Sequence, residues 1–413
     1  MIEFSSTVLK NGLRVIAHED RSTNIAVVNL AYKVGSRDEH EEHTGFAHLF
    51  EHLMFGGSRH IPSYDEPLQQ AGGENNAYTT PDLTNYYLSL PAKIIETGLW
   101  LESDRMLSLS FDPKVLEVQR KVVIEEFNQR YLNQPYGNVW HLMRKMAYKQ
   151  HPYRWPTIGK EISHIEEATM AQVKDFFNTY DVPNNATLVL GGDLNADKAF
   201  QLAEKWFGDI PRGKEIERQI PKEPEQREKR SLSTLEDVPT NAFYKAYHMP
   251  GRNSKEYQAI DLLSDVLGRG KSSRLYQQLV DEKKIFSEIS AYVTGSFDPG
   301  LLVISGKLTN EGRFAQADEA IEEIIDSMRK HGPDEKELEK VKNQALSSHA
   351  FGEVQLLNRA MNLAYYDLLG DVHEVNSEED KIRTVQSNDI QEMANKILQE
   401  ENSSTLYYKA KQS

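Results

Sequence analysis

At 413 residues with 39% hydrophobic positions and no long apolar run, the chain exceeds one ordinary core and offers no membrane span. Its formal net charge of −15 would repel nucleic-acid phosphates, which argues against nucleic acid as a partner. With no Cys there is no disulfide framework, and any metal must be held by His and carboxylate.

The N-terminus, Met1 to Leu9, lacks the basic, apolar and small-residue order of a signal peptide, so a cytoplasmic, bacterial setting is expected. A periplasmic chain whose leader had been removed would read the same. The acidic balance is expected to serve solubility; the alternative is an acidic chamber for basic peptides, built from Asp38, Glu39, Glu41 and Glu42. Next comes His48-Leu49-Phe50-Glu51-His52. On a helix, residues i and i+4 lie one above the other, so both imidazoles can reach one metal while Glu51 stands beside them. Zinc takes imidazole nitrogen, and a catalytic zinc keeps one position open for water, whose proton a neighbouring carboxylate can accept. This order, H-x-x-E-H, is the inverse of the commoner H-E-x-x-H zinc signature. Gly45-Phe46-Ala47 and Leu53-Met54-Phe55-Gly56-Gly57 put apolar side chains around the candidate ligands.

Ile94 to Leu107 carries one apolar stripe and predicts an amphipathic helix. A third ligand is expected on the following helix, where Leu116, Val123 and Phe127 keep helical spacing with Val122 and Ile124 alongside; spacing leaves Glu125 and Glu126 both open. Thr169 opens a helix that leads through Asn184-Asn185 to the strand Ala186 to Leu190. Pro211 to Arg230, rich in Pro, Lys and Glu, reads as an exposed linker. Gly268-Arg269-Gly270-Lys271-Ser272-Ser273 is no phosphate loop, because Asp265 stands where its first Gly is required; a turn between helices is expected. After the amphipathic stretch Phe314 to Met328, Ser387 opens a helix leading through Asn402-Ser403-Ser404 to the strand Thr405 to Tyr408. This repeats the first half's order about 217 residues on, as Asn402 against Asn185 shows, and implies duplication. The fold class is α+β: two homologous domains, each a mainly antiparallel sheet with helices on one face. Residues 1–210 form the first, 211–232 the linker and 233–413 the second, whose early helix Tyr257 to Leu263 carries no metal set.

The chain resembles the M16 family of zinc peptidases, the group of pitrilysin, insulin-degrading enzyme and mitochondrial processing peptidase. The resemblance runs through Gly35 to Glu39, Thr44-Gly45, His48 to His52, Gly72-Gly73-Glu74-Asn75-Asn76-Ala77-Tyr78-Thr79, Phe111-Asp112-Pro113 and Val122 to Glu126. It is dense in the first half and weak in the second. It implies half of a clamshell, zinc as cofactor on His48, His52 and Glu126, and Glu51 as base. It also implies that Asn76 and Ala77 pair with the backbone of an extended peptide substrate. The expected chemistry is attack of water on a peptide carbonyl, with Glu51 taking the proton and passing it to the leaving amine.

Three departures matter. The gap from His52 to Glu126 is slightly short, within Arg59 to Asp65. Gln119, seven residues before Glu126, stands where the family commonly has Glu; it can hydrogen-bond to the metal's surroundings but carries no charge. The family's substrate-contacting Arg and Tyr, seven residues apart in the second half, fall on Val280 and Ser287. Arg274 is expected to cap or pair locally, and Arg359 and Tyr366 repeat the spacing by coincidence. The expectation is a zinc endopeptidase cleaving peptides or unfolded segments in a closed chamber, as the catalytic subunit of a heterodimer with a homologous chain that supplies the Arg/Tyr pair. A self-sufficient homodimer and a non-catalytic scaffold are the alternatives.

Overall fold

The computed structural model describes residues 1–309 and 313–411. In chain order the first half forms β1 (Ser5–Val8), β2 (Arg14–Glu19), β3 (Ile25–Tyr32), α1 (Phe46–Leu53), β4 (Glu74–Thr79), β5 (Thr84–Pro91), α2 (Ile95–Leu107), α3 (Pro113–Phe127), α4 (Val139–Ala147), α5 (Met170–Tyr180), β6 (Ala186–Gly192) and α6 (Ala196–Phe207). The second forms β7 (Arg230–Glu236), β8 (Ala242–Met249), α7 (Tyr257–Gly268), β9 (Phe286–Val293), β10 (Gly300–Leu308), α8 (Phe314–His331), α9 (Glu335–Gly352), α10 (Leu356–Leu369), α11 (Ser387–Ile397) and β11 (Ser403–Ala410), with a few short helical turns besides.

Two mixed α+β units result. The first comprises Met1–Arg130, Trp155–Pro221 and Ala350–Ser377; the second comprises Tyr131–Arg154, Lys222–His349 and Glu378–Ser413. The first sheet has the order β1-β2-β6-β3-β5-β4 and the second β7-β11-β8-β10-β9. Each contains one parallel pair, β2 with β6 and β7 with β11, among antiparallel neighbours. Leaving out β1, the two orders coincide strand for strand, as a duplicated unit requires.

β3 and β6 are buried at nearly every position, so they need cover on both faces. α2 lies on one face, packed so closely that a Cβ at Gly98 would come within 2.7 Å of Leu88. The other face is covered by α10, from the opposite half of the sequence. Asp367 on α10 accepts Arg14 Nε of β2 at 2.7 Å and Thr187 Oγ1 of β6 at 2.5 Å. The second unit repeats this plan. α7, α8 and α11 build the main core on one face, while α4 packs Val139, Met143 and Ala147 against Ala242, Ala246, Leu301, Val303 and Leu406 on the other. The expected helical layer on one face is therefore present in both sheets, and one exchanged helix closes the second face of each.

Residues 211–229 form no regular element, and β7 begins at Arg230, inside the stretch read as linker. The segment is anchored: Arg218 Nε donates to Asp38 Oδ1 at 2.8 Å in the first unit, and Gln226 donates to Ser403 O at 2.7 Å in the second. Arg269 to Ser273 form the expected turn after α7, which ends at Gly268. A Cβ at Gly268 would fall 1.9 Å from Ala291 N, so only Gly lets α7 lie this close to β9. Among the described residues no helix is long and apolar enough to cross a membrane.

Asp367 ties α10 to both β2 and β6, so its removal takes the acceptor from two donors. Asp367→Ala should cost about 1–3 kcal/mol of stability. Chemical denaturation measures it, and an unchanged midpoint would show that these two bonds add nothing to the packing and the Arg359 contacts that also hold α10.

Candidate metal centre

α1 spans only eight residues, and its placement depends on both its start and its buried face. Gly45 adopts φ +88 just before it, and a Cβ there would press on Ile158 O at 2.7 Å. The helix's first N–H groups are met by the buried Glu39, whose Oε2 accepts Gly45 N at 2.9 Å and whose Oε1 accepts Ala47 N at 2.8 Å. Phe46, Ala47, Leu49, Phe50 and Leu53 are buried, and Phe50 stacks on Phe176 of α5 at 4.7 Å between centroids. The opposite face carries His48, Glu51 and His52, all half-buried.

α3 starts at the cap Asp112, whose side chain accepts Lys114 N at 2.8 Å, with Pro113 in the first helical position. It buries Leu116, Val123 and Phe127, while Val122 is exposed. This rotation turns Glu126 towards α1. Its Oε2 lies 3.6 Å from His48 Nε2 and 3.4 Å from His52 Nε2, whereas Glu125 points to solvent and accepts Gln129 Nε2 at 2.8 Å. Gln119 lies two turns earlier on α3, half-buried.

His48, His52 and Glu126 are the one group among the described residues that could hold a metal ion. The donors fit zinc: tetrahedral bonds of about 2.0–2.1 Å hold ligand atoms roughly 3.3–3.5 Å apart, close to the spacings here. Burial pushes His48 down to about 4, so its ring is neutral and its lone pair free at neutral pH. His48 Nδ1 is buried without a partner, which leaves Nε2 as the ring's engaged nitrogen. The hydrogen bond from His52, with the neighbouring His48 and Arg130, holds Glu126 below the usual carboxylate range.

Glu51 stands beside this set. Burial raises its carboxyl above the usual range, and Thr79 Oγ1 donates to its Oε2 at 2.6 Å. Thr79 closes β4, the free edge of the first sheet, in which Asn76 pairs with Tyr87 and Ala77 with Tyr86 of β5. Asn76 is exposed, and its Oδ1 accepts Ala77 N at 2.8 Å.

Sequence reasoning gave no role to Thr79 or Arg130. Thr79 lay inside a segment already singled out, but its hydroxyl meets Glu51 only through the fold. Arg130 Nη1 lies 2.8 Å from Glu126 Oε1, and its spacing of four from Glu126 was the available signal. The acidic-chamber reading needs correction. Asp38 is buried against Arg218 and Glu39 caps α1, so only Glu41 and Glu42 of that run reach the surface. In the second unit Val280 packs against the core and Ser287 donates to Lys307 O at 3.2 Å. Arg274 pairs with Glu337 at 2.7 Å and donates to Gly332 O at 2.8 Å, a bond within its unit rather than a local one. Arg359 pairs with Asp20 and donates to His18 Nε2 at 2.9 Å, and Tyr366 is buried.

Two family models match the chain: insulinase (peptidase family M16) over residues 14–161 and peptidase M16 inactive domain over residues 167–345. The chain is 29% identical over 411 residues to zinc protease PqqE of Helicobacter pylori, across 98% of this chain and 92% of that one. It is 26% identical over 342 residues to a Bacillus subtilis protein named uncharacterized zinc protease YmxG, across 82% of each. A crystal structure of a protease from Helicobacter pylori superposes with a TM-score of 0.93 at 28% identity, over 99% of this chain and 100% of that one. The chain belongs to the M16 family of peptidases, and it is similar throughout its length to bacterial members named zinc proteases.

Burial raises the Glu39 carboxyl from its ordinary 4.5 to about 8, against the pull of its two backbone donors. A raised folded value means stability that is full below the ordinary pKa and is lost as pH rises through about 8. From about pH 5 to about pH 9 the natural chain should therefore lose stability relative to Glu39→Gln, which cannot titrate. Urea midpoints across that range check this, and a constant difference between the two proteins would refute it.

Proposed function

We propose that this chain is a zinc-dependent endopeptidase acting on extended or unfolded peptides, and the zinc-bearing subunit of a two-chain enzyme. The observation that carries this is the convergence of one ligand atom each from His48, His52 and Glu126 within 4.8 Å of one another, with the Thr79-bonded Glu51 beside them. Zinc bound there supplies a Lewis acid and an acidified water. Glu51 takes the proton of the attacking water and returns it to the leaving amine, and its burial keeps the carboxylate basic enough for that exchange. The Thr79 hydroxyl fixes which Glu51 oxygen faces the reaction. Gln119, two turns before Glu126 on the same helix, brings no charge to the site.

Substrate would be held at the free edge of β4. A peptide laid along it takes the Ala77 N–H from Asn76 Oδ1, and the freed Asn76 amide then bonds the peptide in turn. The acidic total charge disfavours nucleic acid as a competitor for this edge.

The reading predicts one zinc per chain, lost on His52→Ala or Glu126→Gln. Glu51→Gln should keep the metal and lose hydrolysis, since an amide accepts no proton at neutral pH. Elemental analysis alongside a peptide-cleavage assay checks both, and full activity in Glu51→Gln would move the base elsewhere.

The partner follows from Val280 and Ser287, which offer neither cation nor phenol to the developing charge on the carbonyl oxygen. Loss of one such donor typically costs about 10² to 10³ in turnover. The isolated chain should cleave an unstructured peptide library slowly, and a homologous chain carrying an Arg/Tyr pair seven residues apart should raise the rate by about that factor. Full rate from the chain alone, as a homodimer, would overturn the two-chain reading.

A further inference from the structure

Glu126 presents its two oxygens to different partners. Oε2 faces His48 and His52, while Oε1 lies 2.8 Å from Arg130 Nη1. Just past Glu126 the helix widens into a π-turn, Asn128–Leu132, and Arg130 stands on it. The guanidinium is 68% exposed and the carboxylate 18%, so water screens the pair and its Coulombic contribution is small. Its consequence is geometric. A carboxylate can bind a metal through one oxygen or two, and the second oxygen takes a position that a hydrolytic site must keep for water.

We propose that Arg130 is a positioning residue that occupies Glu126 Oε1, confines Glu126 to one-oxygen ligation and so keeps a coordination position open. This rests on the metal reading above and adds a residue to it. The competing account is an ordinary solvated i,i+4 pair, which would leave the metal unaffected.

Cobalt(II) substituted for zinc separates the two, because four-coordinate cobalt absorbs visible light more strongly than five-coordinate cobalt. The natural chain should give the intense four-coordinate spectrum. Arg130→Ala should give a weaker, shifted one and bind zinc about 10-fold less tightly in competition with a chelator, the usual scale for losing a group that orients a ligand. Arg130→Lys, which keeps one charged donor for Oε1, should restore the intense spectrum. Because Arg130 is exposed, all three proteins should unfold at the same urea midpoint. An unchanged spectrum and zinc affinity in Arg130→Ala would overturn the role of Arg130 while leaving the metal site standing. A natural chain that binds neither cobalt nor zinc would overturn both.

Discussion

The candidate metal centre depends on holding an eight-residue helix still. A helix this short does not persist in water, because nucleation is costly and few internal hydrogen bonds follow. α1 exists because Phe46, Leu49, Phe50 and Leu53 are buried on one side and because Glu39 meets its leading N–H groups. The same burial rotates the helix so that residues 48, 51 and 52 face α3. Core packing thus sets the donor positions before any ion is present, and fluctuations of the Nε2 atoms are limited by how tightly Phe50 and Phe176 stack.

The placement of Glu51 depends on the sheet in a comparable way. Thr79 reaches Glu51 from the end of β4, and β4 is fixed by its pairing to β5. Tyr86, opposite Ala77 on β5, lies under the Arg105 guanidinium at 4.3 Å. Arg105 is held in turn by Glu102 at 2.9 Å, and Glu102 accepts the Tyr64 hydroxyl at 2.5 Å. An ion pair buried this completely adds little net stability after desolvation, but it tolerates few arrangements and therefore stiffens the strand beside it.

Much of this was legible in the sequence because it is local. The helix carrying His48 and His52, the helix opened by Thr169 and the strands beginning near Ala186 and Thr405 are all short-range patterns, and they appear as read. What could not be read depends on long-range contacts. The exchange of α4 and α10 between sheets is invisible to periodicity, since an amphipathic helix shows only that it must pack and not where. Glu39 looked like one more surface acid in an acidic run, and only burial distinguishes it from Glu41. Glu125 and Glu126 were equivalent by spacing until the burial of Val123 and Phe127 fixed the rotation of α3.

The duplication bears on why the His/Glu set sits in one half. α7 occupies the place of α1 in the second unit, and aligning their first residues sets Ala259, Leu262 and Leu263 against His48, Glu51 and His52. Eleven of the twelve α7 residues are buried, so the face that in α1 is polar and half-open is here part of the core. A helix that turns apolar side chains into the core at these positions gains packing and forfeits any ligand set there. Ile260, Leu263 and Val266 sit fully inside a cluster that also takes in α8 and α11, so restoring His at 259 or 263 would bury an unpaired imidazole. The second unit thus carries no counterpart of the set on α7, and Val280 and Ser287 are likewise engaged in packing and backbone hydrogen bonding.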